Sequence, residues 1–102
     1  MSGEGTVLLS IACASGDRDA IVEALRARVR CPIHLRAEAV HGLDFSDAGT
    51  AERVTGALDR LAIELVVPAD AVTALVEAAG ASRRRLPMRW RVTPVLASGR
   101  VA

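Results

Sequence analysis

Apolar positions in this chain fall into six short runs, and their period changes from run to run. Thr6 to Ala12 is nearly continuous in apolar residues, as expected for a central strand covered on both faces. Ser15-Gly16-Asp17 interrupts it. Asp17 is placed as an N-cap, and Asp19 lies in the first turn, where a carboxylate favours the helix dipole. Ile21, Val22, Leu25 and Val29 then recur at helical spacing. Cys31-Pro32 ends that helix, because proline has no N–H to continue it.

Ile33 to Val40 alternates with period two. Ile33, Leu35, Ala37 and Ala39 point one way, and His34, Arg36, Glu38 and Val40 the other, so this strand has one covered face. The alternation resumes near Leu58 and runs to Val67, with Leu61, Ile63, Leu65 and Val67 inward. Pro68-Ala69-Asp70 opens a second helix. Val72, Leu75, Val76 and Ala79 form its apolar face, and Gly80 is placed as its C-terminal stop. Met88 to Val95 is the fourth strand, with Pro94 suited to an edge.

The order is strand, helix, strand, loop, strand, helix, strand. Two such units forming one four-stranded antiparallel sheet, with both helices on one face, give the α+β ferredoxin-like βαββαβ fold. The two most apolar strands, the first and third, belong in the middle. The face without helices then holds Leu8, Ser10, Val40, Ala62, Glu64, Val66, Arg36 and Arg91. That set is too apolar for a solvated face and too charged for a monomer core, so a homo-oligomer is expected.

Between the two halves lies His41 to Arg60, which holds three of the eight glycines, the only Phe and no apolar period. A loop this long in a compact domain is usually functional. Fixing each backbone residue costs about 1–2 kcal/mol, so the sequence predicts a loop that orders only when a ligand or partner offsets that cost.

Composition narrows the classes. The chain has 102 residues, enough for one domain, and is 51% hydrophobic and 25% charged with a net charge of +1. A broad basic face for nucleic acid is excluded. RNA recognition on the open sheet would need exposed aromatics; Phe45 and Trp90 are the only two aromatics, and Trp90 is expected beneath a helix. Cys13 and Cys31 read as reduced thiols, which points to the cytoplasm. The run Val7 to Cys13 resembles a lipoprotein signal only faintly, because Glu4 precedes it where a basic residue belongs, and no stretch is long enough to span a membrane.

No Ser-His-Asp spacing, H-E-x-x-H or nucleophile elbow is present, and no enzyme is expected. His34 and His41 fall on opposite faces of their strand, so a metal site within one chain is not expected. A site shared between subunits through Cys13, Cys31, His34 or His41 stays open as the alternative reading. Arg83, Arg84, Arg85, Arg89, Arg91 and Arg100 crowd the last fifth of the chain. They suit either bidentate anion binding or a solvated basic edge that discourages strand aggregation.

Val54-Thr55-Gly56, followed by Arg60, and the ending Trp90-Arg91-Val92-Thr93-Pro94-Val95-Leu96-Ala97-Ser98-Gly99-Arg100 resemble the PII-like proteins. They are most similar to a subgroup found beside heavy-metal efflux pumps. The resemblance implies a cytoplasmic homotrimer with its sheets packed inward and ligand clefts between subunits. It also implies a T-loop on about residues 41–58 that docks on a partner such as a membrane transporter. The ligand it implies is small and anionic, an adenine nucleotide in PII signalling proteins, and no bound cofactor is implied. Carried onto this sequence, the ligand contacts fall on Gly42, Val54, Thr55, Gly56, Arg60, Arg89, Arg91 and Arg100. After Gly56 the subgroup carries Arg-Gln-Arg-Arg where this chain has Ala57-Leu58-Asp59-Arg60, so the family's glutamine contact has no counterpart here.

Overall fold

A computed structural model describes residues 5–41, 58–83 and 87–102. Strand β1 spans Thr6–Ala14, a 3-10 turn covers Ser15–Asp17, and helix α1 spans Arg18–Arg26. Strand β2 is His34–Val40 and β3 is Leu58–Pro68. A second 3-10 turn, Ala69–Ala71, leads into α2, Val72–Ser82, and β4 is Arg89–Val95. The four strands form one sheet in the order β2-β3-β1-β4, with every neighbouring pair antiparallel. This is the expected ferredoxin-like arrangement, with the first and third strands central.

Alternation in the sequence becomes burial because opposed residues in a ladder share a face. Leu9, Ile11 and Cys13 of β1 and Leu61, Ile63, Leu65 and Val67 of β3 turn to the helix side. Ile21 and Leu25 of α1 and Val72, Leu75 and Ala79 of α2 close over them. The helices also touch each other. Each large side chain taken out of water here contributes about 1.5–3 kcal/mol, so this single layer carries most of the stability.

Several local expectations shift. Asp17 occupies the N-cap position of α1 but makes no capping hydrogen bond from its side chain; it is 2% exposed and turned inward. The helix ends at Arg26; beyond it Arg28 N–H donates to Leu25 O at 2.9 Å in a tightened turn, and Val29 N–H donates to the same carbonyl at 3.0 Å. Asp70 lies within the second 3-10 turn, and Ala71 is the N-cap residue of α2. Gly80 does not stop α2, which continues to Ser82. There Ser82 Oγ donates to Ala79 O and Arg83 Nη1 to Gly80 O, at 2.8 and 2.7 Å, satisfying carbonyls that the helix end leaves open.

Two corrections concern the edges. Trp90 does not pack beneath a helix: it lies on the helix side but at the margin, 51% exposed. The helix-side face of β2 is not covered either, since Leu35, Ala37 and Ala39 are all exposed. Both follow from geometry. Two helices of nine and eleven residues cover the central pair of strands and reach the outer pair only in part: Val92 of β4 still packs against the core, whereas Leu35, Ala37, Ala39 and Trp90 do not lie under a helix.

The open sheet face as a candidate anion site

The register sorts the helix-free face into rows. One row runs Arg36, Ala62, Ala12, Arg89 from β2 to β4. The next runs His34, Glu64, Ser10, Arg91. Toward the start of β3 lie Glu38, Arg60 and Ala14. Small residues therefore floor the middle of the sheet, and guanidinium groups stand on both outer strands. Ser10, Ala12, Arg36, Glu38, Arg89 and Arg91 line a groove of about 430 Å³ on this face.

Charged side chains stand on both walls of the groove. On the β2 side, Arg36 donates to Glu64 through Nη1 at 3.0 Å and Nη2 at 3.4 Å and lies 3.8 Å from Glu38. Ser10 Oγ also donates to Glu64, at 3.3 Å. The Arg36 hydrogen bonds hold Glu64 below the ordinary carboxylate value of 4.5, with Arg91 adding a smaller attraction through space. The same pair raises Arg36. On the β4 side, Arg89 and Arg91 stand two residues apart, both exposed, with no acidic residue on their own strand.

The proposed contact residues divide. Arg89 and Arg91 come together on the open face. Arg60 lies near the same end of the sheet but is only 4% exposed. Its charge acts on Cys13, as does that of Asp17. Arg100 sits on a tail that leaves the far end of β4, where Val95 pairs with Thr6. Gly42, Val54, Thr55 and Gly56, with most of the 41–58 segment, lie outside the described residues, as do Arg84 and Arg85.

Cys13 points into the core. Burial pushes its thiol up to about 11, reinforced by Asp17 and opposed by Arg60. His34 is on the other face of the sheet, opposite Glu64. Among the described residues no three His, Cys, Asp or Glu side chains converge as a metal site would require, and no helix is long and apolar enough to cross a membrane.

What reading residue by residue missed is Arg36 with Glu64 as a unit, and the alanine floor between the basic walls. Both depend on which residues are opposed across strands. Alternation signals the face; only the register supplies the partner.

A four-stranded antiparallel sheet in the order β2-β3-β1-β4, with a bare, arginine-walled face and two helices behind it, is a ferredoxin-like α+β fold. The chain belongs to the DUF3240 family, described as a protein of unknown function, whose pattern it matches over residues 4–102. A DUF3240 family protein from Shewanella baltica OS155 superposes with a TM-score of 0.77 at 18% identity, over 97% of this chain and 99% of that one. GlnK of B. subtilis, solved as its ATP complex, gives 0.70 at 18% identity over 93% and 84%. Arabidopsis thaliana PII bound to citrate gives 0.67 at 13% identity over 89% and 78%. No curated protein matches the sequence.

Proposed function

We propose that this protein is a PII-like regulator: a homotrimer that binds a small anion in clefts between copies and acts on a membrane transporter through residues 41–58. The transporter in this reading is a metal efflux system, in keeping with the sequence motifs. The observation that carries the anion reading is that Arg36 on β2 and Arg89 and Arg91 on β4 wall one groove on the open face. Two similar folds were solved with multivalent anions, ATP in one and citrate in the other, which supports an anion of that class here.

Chain direction supports a cleft between copies. Strand β4 starts with Arg89 opposite Ala12 and ends with Val95 opposite Thr6. From Arg91 to Val95 the backbone moves about 13 Å away from Arg89. The tail does not pack back, since Leu96 is 98% and Val101 100% exposed. A ligand held by Arg89, Arg91 and Arg100 together therefore draws Arg100 from a neighbouring copy.

Isothermal calorimetry against ATP, ADP, AMP, citrate and bicarbonate, with zinc and copper as the competing arm, tests this reading. Binding of one of the anions, weakened at least about tenfold by Arg91→Ala, which is the scale of one lost charge-assisted contact, is the expected result. Arg100→Ala is expected to weaken the same anion without unfolding the chain. Tight stoichiometric metal binding with no anion response sinks the reading. Replacing residues 44–52 by a short glycine-serine linker is expected to keep anion binding and to abolish the effect on transport in cells.

A further inference from the structure

Glu64 stands near the middle of the helix-free face. The register sets it opposite Ser10 on β1, and Ser10 is opposite Arg91 on β4. Arg36 on β2 is its diagonal neighbour, and long side chains on one face reach that far. The Glu64 carboxylate accepts from Arg36 Nη1 at 3.0 Å, from Arg36 Nη2 at 3.4 Å and from Ser10 Oγ at 3.3 Å. Arg91 attracts the same carboxylate through space. A forked guanidinium, a hydroxyl and a second guanidinium, drawn from three strands, are the donor set of an oxyanion site.

Magnitudes decide whether that carboxylate is fixed or exchangeable. Both members of the Arg36–Glu64 pair reach water, and an ion pair so placed contributes little net free energy. Another oxyanion can therefore replace Glu64. A ligand that binds the same fork of Arg36 must take Glu64's place. A tethered group competes at a high effective concentration, so an anion with one charge and one contact gains nothing by the exchange. An anion with two or more charges does gain, because Arg89 and Arg91 stand on the other wall of the same groove. Arg36 meets Glu64 between β2 and β3, so about 10 Å, two strand spacings, separates their contact from β4. The groove, about 430 Å³, has the size of a small-molecule site.

We propose that the free protein keeps its ligand seat filled from within: the Glu64 carboxylate stands in for an anionic group of the ligand on Arg36 and Ser10, and a multivalent oxyanion binds by displacing it. Phosphate esters and polycarboxylates share that chemistry. His34, directly opposite Glu64 on β2, is within reach of the displaced carboxylate. The inference rests on the anion reading above and adds Ser10, Arg36 and Glu64 to that site.

Trp90, the sole tryptophan, borders the groove between Arg89 and Arg91, so its fluorescence follows titration with sulfate and with citrate at pH 7. Glu64→Gln keeps the size of the side chain and removes its charge. It is expected to tighten both anions about two- to fivefold, the scale at which an exposed ion pair holds. Glu38 lies on the same wall, 3.8 Å from Arg36. Glu38→Gln removes the same charge but leaves the fork filled, and a smaller gain is expected. Arg36→Gln is expected to weaken both anions and, combined with Glu64→Gln, to abolish the gain. Ser10→Ala is expected to weaken both anions in the Glu64→Gln background. None of these four side chains is fully buried, so the fold, followed by circular dichroism, is expected to persist.

Equal gains from Glu64→Gln and Glu38→Gln would reflect the general field of the face and overturn the filled seat. Binding that is unchanged or weaker in Glu64→Gln, while Arg91→Ala still weakens it, overturns the seat and leaves the anion reading standing. No binding of either anion to the wild type or to Glu64→Gln overturns both.

Discussion

Arg36 on β2 grips Glu64 on β3 through both guanidinium nitrogens, at 3.0 and 3.4 Å, diagonally across the ladder, where Arg36 itself is opposite Ala62. The diagonal leaves the alanine row clear and spends the charge of the β2 wall on a neighbour. The Arg36 side chain is 56% and Glu64 20% exposed, so water screens much of the attraction. Glu64→Gln is therefore expected to cost only about 0.2–1 kcal/mol in denaturant melts at pH 7. Glu64 has a lowered folded-state pKa, so its contribution is present above the unfolded carboxylate range. It is lost as pH falls through the folded value. The gap between wild type and Glu64→Gln is expected to close as pH falls below the ordinary carboxylate value of 4.5.

Cys13 and Cys31 are expected to behave differently toward thiol reagents. Cys13 is buried with its thiol pushed up to about 11, whereas Cys31 is half-buried. At neutral pH in the native state one thiol, Cys31, should react with a chromogenic disulfide, and the second only on unfolding. A raised folded-state pKa means that Cys13 favours the fold below the ordinary value of 9.0 and that this advantage is lost as pH rises toward about 11. Arg60 lowers the thiol value. Arg60→Met is expected to move Cys13 alkylation to still higher pH, read from its rate against pH.

Core truncations separate the two faces of β3. Ile63 is fully buried and Val66 is 38% exposed. Ile63→Ala is expected to cost about 2–5 kcal/mol in urea titration, because the cavity it leaves cannot collapse between two layers. Val66→Ala is expected to fall within about 0.5 kcal/mol of wild type for the isolated chain. A larger loss that grows with protein concentration would place Val66 inside an interface.

Gly80 lies within α2, and a Cβ added there would meet only Arg83 Nη1 and Met88 Cε, each at 3.8 Å. That is ordinary contact distance. Gly80→Ala is expected to stabilise the protein by about 0.5–1 kcal/mol through helix propensity, seen as a rise in Tm. A fall in Tm would show that the helix end needs the freedom of glycine.

The amino-acid sequence by itself determined the element order, the two central strands and the residues facing the helices. Those features depend on local periodicity: side chains alternate along a strand and recur every three to four residues along a helix, so burial on one side is written into the chain. Leu61, Ile63, Leu65 and Val67 needed nothing more. The tertiary structure decided what depends on pairing between distant segments. Register joined Arg36 to Glu64 and set Arg89 and Arg91 beyond an alanine floor. Helix length left Leu35 and Trp90 bare at opposite edges, although periodicity alone assigned both to a covered side. Chain direction carried Arg100 away from the other arginines. Whether an apolar position is covered depends on how far its neighbours reach, and that is a property of the packed molecule.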